Sequence, residues 1–120
     1  MCKSIKQEKT ILQIENGIEM FAVDEKLYMT SIPVTLKKNT VYKIEFEMRT
    51  GYELKNDIVT IDIYGENYDH VEQKRKALLN KASDFVIIET DERLPENAII
   101  RLYSATDVPI EKIRIYEVTV

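Results

Sequence analysis

Strict alternation of apolar and polar residues dominates the middle of the chain. Residues 41–49 read Val-Tyr-Lys-Ile-Glu-Phe-Glu-Met-Arg, which sets Tyr42, Ile44, Phe46 and Met48 on one face and Lys43, Glu45, Glu47 and Arg49 on the other. Successive side chains of an extended backbone point to opposite sides, so a period of two predicts a strand with one face in a core and the other in water. Residues 58–64 behave likewise, with Val59, Ile61 and Ile63 on one side and Ile58, Thr60, Asp62 and Tyr64 on the other. That second set gives the strand a polar and aromatic outer surface.

Six further strands are predicted at 11–14, 18–23, 28–36, 85–89, 98–103 and 110–120, each bounded by Asn, Asp, Gly, Pro or Lys. Asn16-Gly17 tolerates left-handed backbone and predicts a two-residue hairpin turn between the first two. Pro33 lacks a donor, so its strand is expected at a sheet edge or with a bulge, whereas Pro109 opens the strand that follows. In the last run Ile113 and Ile115 share one parity and Tyr116, Val118 and Val120 the other, which predicts a bulge near Ile115-Tyr116 that changes the face turned to the core.

Helical spacing occurs once: Val71, Arg75, Leu78, Leu79 and Ala82 follow Asp69-His70-Val71-Glu72, which has the form of a capping box with Asp69 as the cap. There is no repeat, low-complexity tract or linker, and the strands are too closely spaced for βαβ crossovers. The expected fold is all-β, a two-sheet antiparallel β-sandwich of jelly-roll-like type with one short helix at its edge.

Composition adds limits. At 120 residues and 14.1 kDa the chain makes one domain able to bury a core without disulfide or metal staples, with residues 1–9 as a poorly ordered lead-in and 10–120 as the sandwich. The 44% hydrophobic and 32% charged content, with three Gly and three Pro, is that of a packed globule. A net charge of −4 provides no basic footprint for nucleic acid or an anionic membrane, so neither is expected as a partner. No apolar run reaches membrane-spanning length, and no apolar segment follows the charged first nine residues to make a signal peptide. A polar lead-in and a final strand-like run suit a domain of a larger chain, whose compartment stays open.

Catalytic constellations are weak. Glu45 and Glu47 lie about 6.6 Å apart by strand rise, and paired carboxylates are what glycoside cleavage requires, with Asp62 facing either of them across neighbouring strands as the alternative pair. Interleaved with Lys43 and Arg49, and with no supporting motif, they read more simply as a charged sheet surface. His70, the single histidine, has no Cys or second His to complete a transition-metal site, and Cys2 sits in a terminal tail. Gly17, Gly51 and Gly65 stand alone, so no phosphate-cradling loop forms. No enzymatic activity and no cofactor are expected.

The outward strand faces carry more information. Asp62 and Tyr64 are expected beside Lys43, Glu45 and Arg49, while Arg101 and Tyr103 alternate outward from Ile100 and Leu102. Sugar rings stack their apolar faces on aromatic rings and exchange paired hydrogen bonds with Arg, Asp and Glu, so this mixture suits a carbohydrate. The same tyrosines are also good strand formers and cross-strand packers.

The stretch 32–49, with its Tyr-x-Ile-x-Phe-x-x-Arg strand, the Val59-Thr60-Ile61-Asp62-Ile63-Tyr64 strand and the closing run 110–120 together resemble the jelly-roll carbohydrate-binding modules and related galactose-binding-like domains of bacteria. The resemblance covers most of the chain. It implies a sugar held on one sheet or in the loops at one end, which makes Arg49, Asp62, Tyr64, Arg101 and Tyr103 candidates, with Tyr52 and Tyr68 in the loops. Many such modules carry a structural calcium; their last strand often has Asp where this chain has Tyr116 beside Glu117, a departure from that pattern. The function expected from this resemblance is a non-catalytic carbohydrate-binding accessory domain of a larger bacterial carbohydrate-active protein, a polysaccharide-acting enzyme or glycosyltransferase. Its partners would be an oligo- or polysaccharide and the rest of the parent protein. The alternative is a structural or protein-interaction sandwich with no sugar site.

Overall fold

The computed structural model describes residues 7–51, 53, 57–68, 75–79 and 81–119. These residues form β1 (Gln7–Ile14), β2 (Phe21–Asp24), β3 (Leu27–Ile32), β4 (Val41–Met48), β5 (Asp57–Tyr64), β6 (Arg75–Leu79), β7 (Ser83–Glu89), β8 (Ile99–Ser104) and β9 (Ile110–Thr119). All pairings are antiparallel: β1-β9-β4-β7 make one sheet and β2-β3-β8-β5-β6 the other. The chain is therefore the two-sheet β-sandwich that its alternation predicts, and each of the eight predicted strands has a counterpart.

The core lies between the sheets. Tyr42, Ile44, Phe46 and Met48 of β4 meet Val59, Ile61 and Ile63 of β5, Ile100 and Leu102 of β8, Val86 and Ile88 of β7 and Ile110, Ile113 and Ile115 of β9, all buried. Both parities read from β4 and β5 hold, because burying one face of a pleated strand leaves its register no freedom. The buried Tyr42 satisfies its hydroxyl by accepting the Lys37 N–H at 2.7 Å.

Four local expectations change. Residues 75–79, inside the predicted helix, are strand β6; residues 69–74, with His70, lie outside the described residues. Ala77 packs into the core opposite Val59, and the open edge of β5 supplies backbone partners that outweigh a weak helical spacing. Gly17 does adopt left-handed backbone (φ 89°), but it carries the chain from β1 in one sheet toward β2 in the other rather than closing a hairpin, and its N–H donates to the Glu111 carbonyl at 2.8 Å. Pro33 ends β3 at Ile32, and β3 is an interior strand. The irregularity beside Ile115-Tyr116 falls on the partner strand, where Ile11 is the extra residue, so Tyr116 and Val118 stay on the outer face; the bulge of β9 is at Glu111 and lets both Ile110 and Ile113 face inward.

Candidate functional site

The outer face of the five-stranded sheet gathers four of the predicted residues. Register sets Ser31, Arg101 and Asp62 in one row across β3, β8 and β5, and Met29, Tyr103 and Thr60 in the next, with Tyr64 opposite Ile99. Arg101 holds Asp62 by two parallel bonds, Nε to Oδ1 at 3.2 Å and Nη2 to Oδ2 at 3.1 Å. Such a fork fixes both orientation and charge. The guanidinium carbon lies 3.9 Å from the centre of the Tyr64 ring and 5.0 Å from that of Tyr103, cation–π contacts that close over the pair.

Asp62 points away from the core, yet only 1% of its surface is exposed, because Arg101 and the tyrosines roof it. Tyr64 itself is 47% exposed. Burial, and then the Asp62 charge beside it, pushes the Tyr103 phenol above its ordinary range, so it is a neutral hydrogen-bonding group at pH 7. The pair cancels its own charge through Nε and Nη2, leaving a face of rings, hydroxyls and the Nη1 end of Arg101. Phe21 and Ile58 extend this face with exposed apolar surface.

The other candidates lie elsewhere. Arg49 follows β4, its N–H donating to the Pro109 carbonyl at 3.0 Å and its Nε 3.7 Å from Glu111 Oε2. It borders a separate cleft of about 620 Å³ lined also by Gly17, Glu19 and Asp107. Tyr68 is buried, its hydroxyl donating to Asp91 Oδ1 at 3.3 Å with Arg93 over its ring, so it anchors a loop to the core. Burial first, then the Asp91 charge, raises the Tyr68 phenol, while Arg93 lowers the Asp91 carboxyl. Tyr52 lies outside the described residues.

Lys43 and Glu45 belong to the other sheet, so their outer face is opposite to that of Asp62, and no Asp62 pairing with Glu45 or Glu47 forms. Those two carboxylates instead share Arg114, at 3.4 and 3.7 Å from its Nη1, within a network that includes Glu15 and Lys43. Tyr116 donates to Glu45 at 3.4 Å on that same surface. Among the described residues, no three His, Cys, Asp or Glu side chains are placed to hold a metal ion, and no helix is long and apolar enough to cross a membrane. Ser31 completes the Arg101 row and Met29 the Tyr103 row, and neither stands out in the sequence, since only the β3–β8 register shows which residues they flank. Comparison with protein-family models and with curated proteins returns no match.

Proposed function

We propose that the chain is a non-catalytic carbohydrate-binding domain that uses the outer face of the five-stranded sheet, within a larger bacterial carbohydrate-active protein. One observation carries this reading: the Arg101–Asp62 fork holds a guanidinium between Tyr64 and Tyr103, so ring surface and hydrogen-bond donors are preorganised side by side. An exposed aromatic ring offers a stacking surface for the apolar side of a sugar. Beside it the Nη1 donors of Arg101 and the hydroxyls of Ser31 and Thr60 can address the sugar's own hydroxyls. A guanidinium already fixed loses little further freedom on binding, which favours affinity from a small contact area.

The test is a glycan-array screen with and without calcium, followed by NMR titration of each hit. Amide shifts confined to Ser31, Thr60–Tyr64 and Arg101–Tyr103, lost in Tyr64→Ala, are expected. No binding to plant, bacterial or host glycans would overturn the reading and leave a protein-docking role for the same face.

A further inference from the structure

One edge of the other sheet, strand β7, carries an independent feature. Strand β7 pairs with β4 on one side, and among the described residues no main-chain bond reaches it from the other. Two bonds set which of its groups face that open side: the Met48 N–H donates to the Ala82 carbonyl at 2.8 Å and the Thr90 N–H to the Thr40 carbonyl at 2.9 Å. In an antiparallel ladder, bonding residues alternate, so Ala82, Asp84, Val86, Ile88 and Thr90 turn their backbone groups to β4. Ser83, Phe85, Ile87 and Glu89 therefore turn theirs outward. The same register puts their side chains on the outer face, where Phe85 and Ile87 are large exposed hydrophobics.

One outward group is already taken. The Phe85 N–H donates to the Oδ1 of its neighbour Asp84 at 2.8 Å. A carboxylate curled onto an edge N–H is a blunting device, since it occupies a donor that an added strand would use.

We infer that the β7 edge is a self-association surface on which a second copy of this chain adds its own β7, antiparallel about Val86, and that Asp84 restrains the pairing. The symmetry of the strand argues for a second copy. Two-fold pairing must keep outer side chains with outer ones, so it centres on a residue. Centred on Val86 it sets Phe85 against Ile87 of the second copy, twice, covering both exposed apolar side chains. The acidic residues do not meet each other: Asp84 falls opposite Ile88 and Glu89 opposite Ser83. Phe85 and Ile87 then occupy the closely bonded positions, where each pair exchanges two backbone hydrogen bonds. The two four-stranded sheets become one continuous sheet. The total surface removed by pairing one short strand from each copy is on the order of several hundred Å², below the roughly 1,200 Å² of total area that a stable complex buries, so the dimer is weak and concentration-dependent.

Sedimentation equilibrium of the full chain under reducing conditions, so that Cys2 forms no disulfide, tests this. The mean mass is expected to rise from one chain toward two between about 20 μM and 1 mM. Asp84→Ala frees one donor per copy and is expected to tighten association about five- to tenfold. Ile87→Pro removes an outward N–H that β4 does not use, and Ile87→Lys sets a charge on the edge without touching any backbone bond. Each is expected to abolish the dimer. Independently of any variant, concentration-dependent amide shifts in the wild type should map to 83–89. A single-chain mass at 1 mM in both wild type and Asp84→Ala, or association that survives Ile87→Lys, overturns the proposal.

Discussion

Replacing Arg101 with Ala and, separately, Asp62 with Ala should give unequal losses. The Asp62 side chain is 2% exposed and the Arg101 side chain 19%, so the two partners differ in how readily water can replace what is lost. Arg101→Ala leaves Asp62 with neither of its two fork bonds. Removing one partner of a buried pair costs about 3–5 kcal/mol, and the space vacated by the guanidinium admits water, which brings the expected cost to about 2–4 kcal/mol. Asp62→Ala leaves a long cation able to swing into solvent, a loss of about 1–2 kcal/mol, close to that of a charged hydrogen bond. In a domain of this size each kcal/mol moves the melting midpoint by about 4 °C. Urea unfolding followed by far-UV circular dichroism suits a chain without Trp. The Arg101→Ala, Asp62→Ala double mutant closes a cycle whose coupling should be about 1–3 kcal/mol. Equal single losses, or a larger loss for Asp62→Ala, would refute the argument that burial of the carboxylate decides the energetics.

Three further outcomes follow from the packing. Phe46→Ala, at the centre of the core, should cost about 3–5 kcal/mol in the same assay. A methyl group on Gly65 would overlap the Pro95 ring, so Gly65→Ala should destabilise by about 1–3 kcal/mol, whereas Tyr64→Ala next to it should leave the midpoint within a few degrees. The Tyr103 phenol ionises above its ordinary range when folded, so the folded state holds its proton more tightly than the unfolded one. The stability this gives is complete below about pH 10 and is lost as pH rises through the folded value. Tyr68 and Tyr116 are raised as well, so absorbance titration of wild type against Tyr103→Phe should show which of the late-titrating phenols is Tyr103.

Four of the residues expected at a site lie together on the outer face of the five-stranded sheet. Asp62, Tyr64, Arg101 and Tyr103 were legible as outward residues because each sits in a run whose alternate positions are Val59, Ile61 and Ile63 or Ile100 and Leu102. That they form a single cluster was not legible. It depends on β5 lying beside β8, a pairing of strands some forty residues apart. Lys43, Glu45 and Arg49 share the outward parity and were expected nearby, yet β4 belongs to the other sheet, and outward there points the opposite way.

The two periods of the backbone explain most of what the chain discloses unaided. A strand of eight residues with four large apolar side chains at alternate positions, as in Val41–Met48, has one stable way to sit, since a slip of one residue would expose them all. The five residues of β6 show no alternation and fit a helical spacing, and the edge of β5, unseen from local sequence, settles them as strand. Gly17 has the left-handed backbone expected of its dipeptide, but whether such a turn closes a hairpin or crosses between sheets depends on which strands bond on either side. Alternation, then, is written in the local sequence because it follows from the geometry of one strand. Sheet membership, the Arg101–Asp62 fork and the open edge of β7 are decided only by tertiary structure, because each requires knowing which distant strand supplies the neighbour.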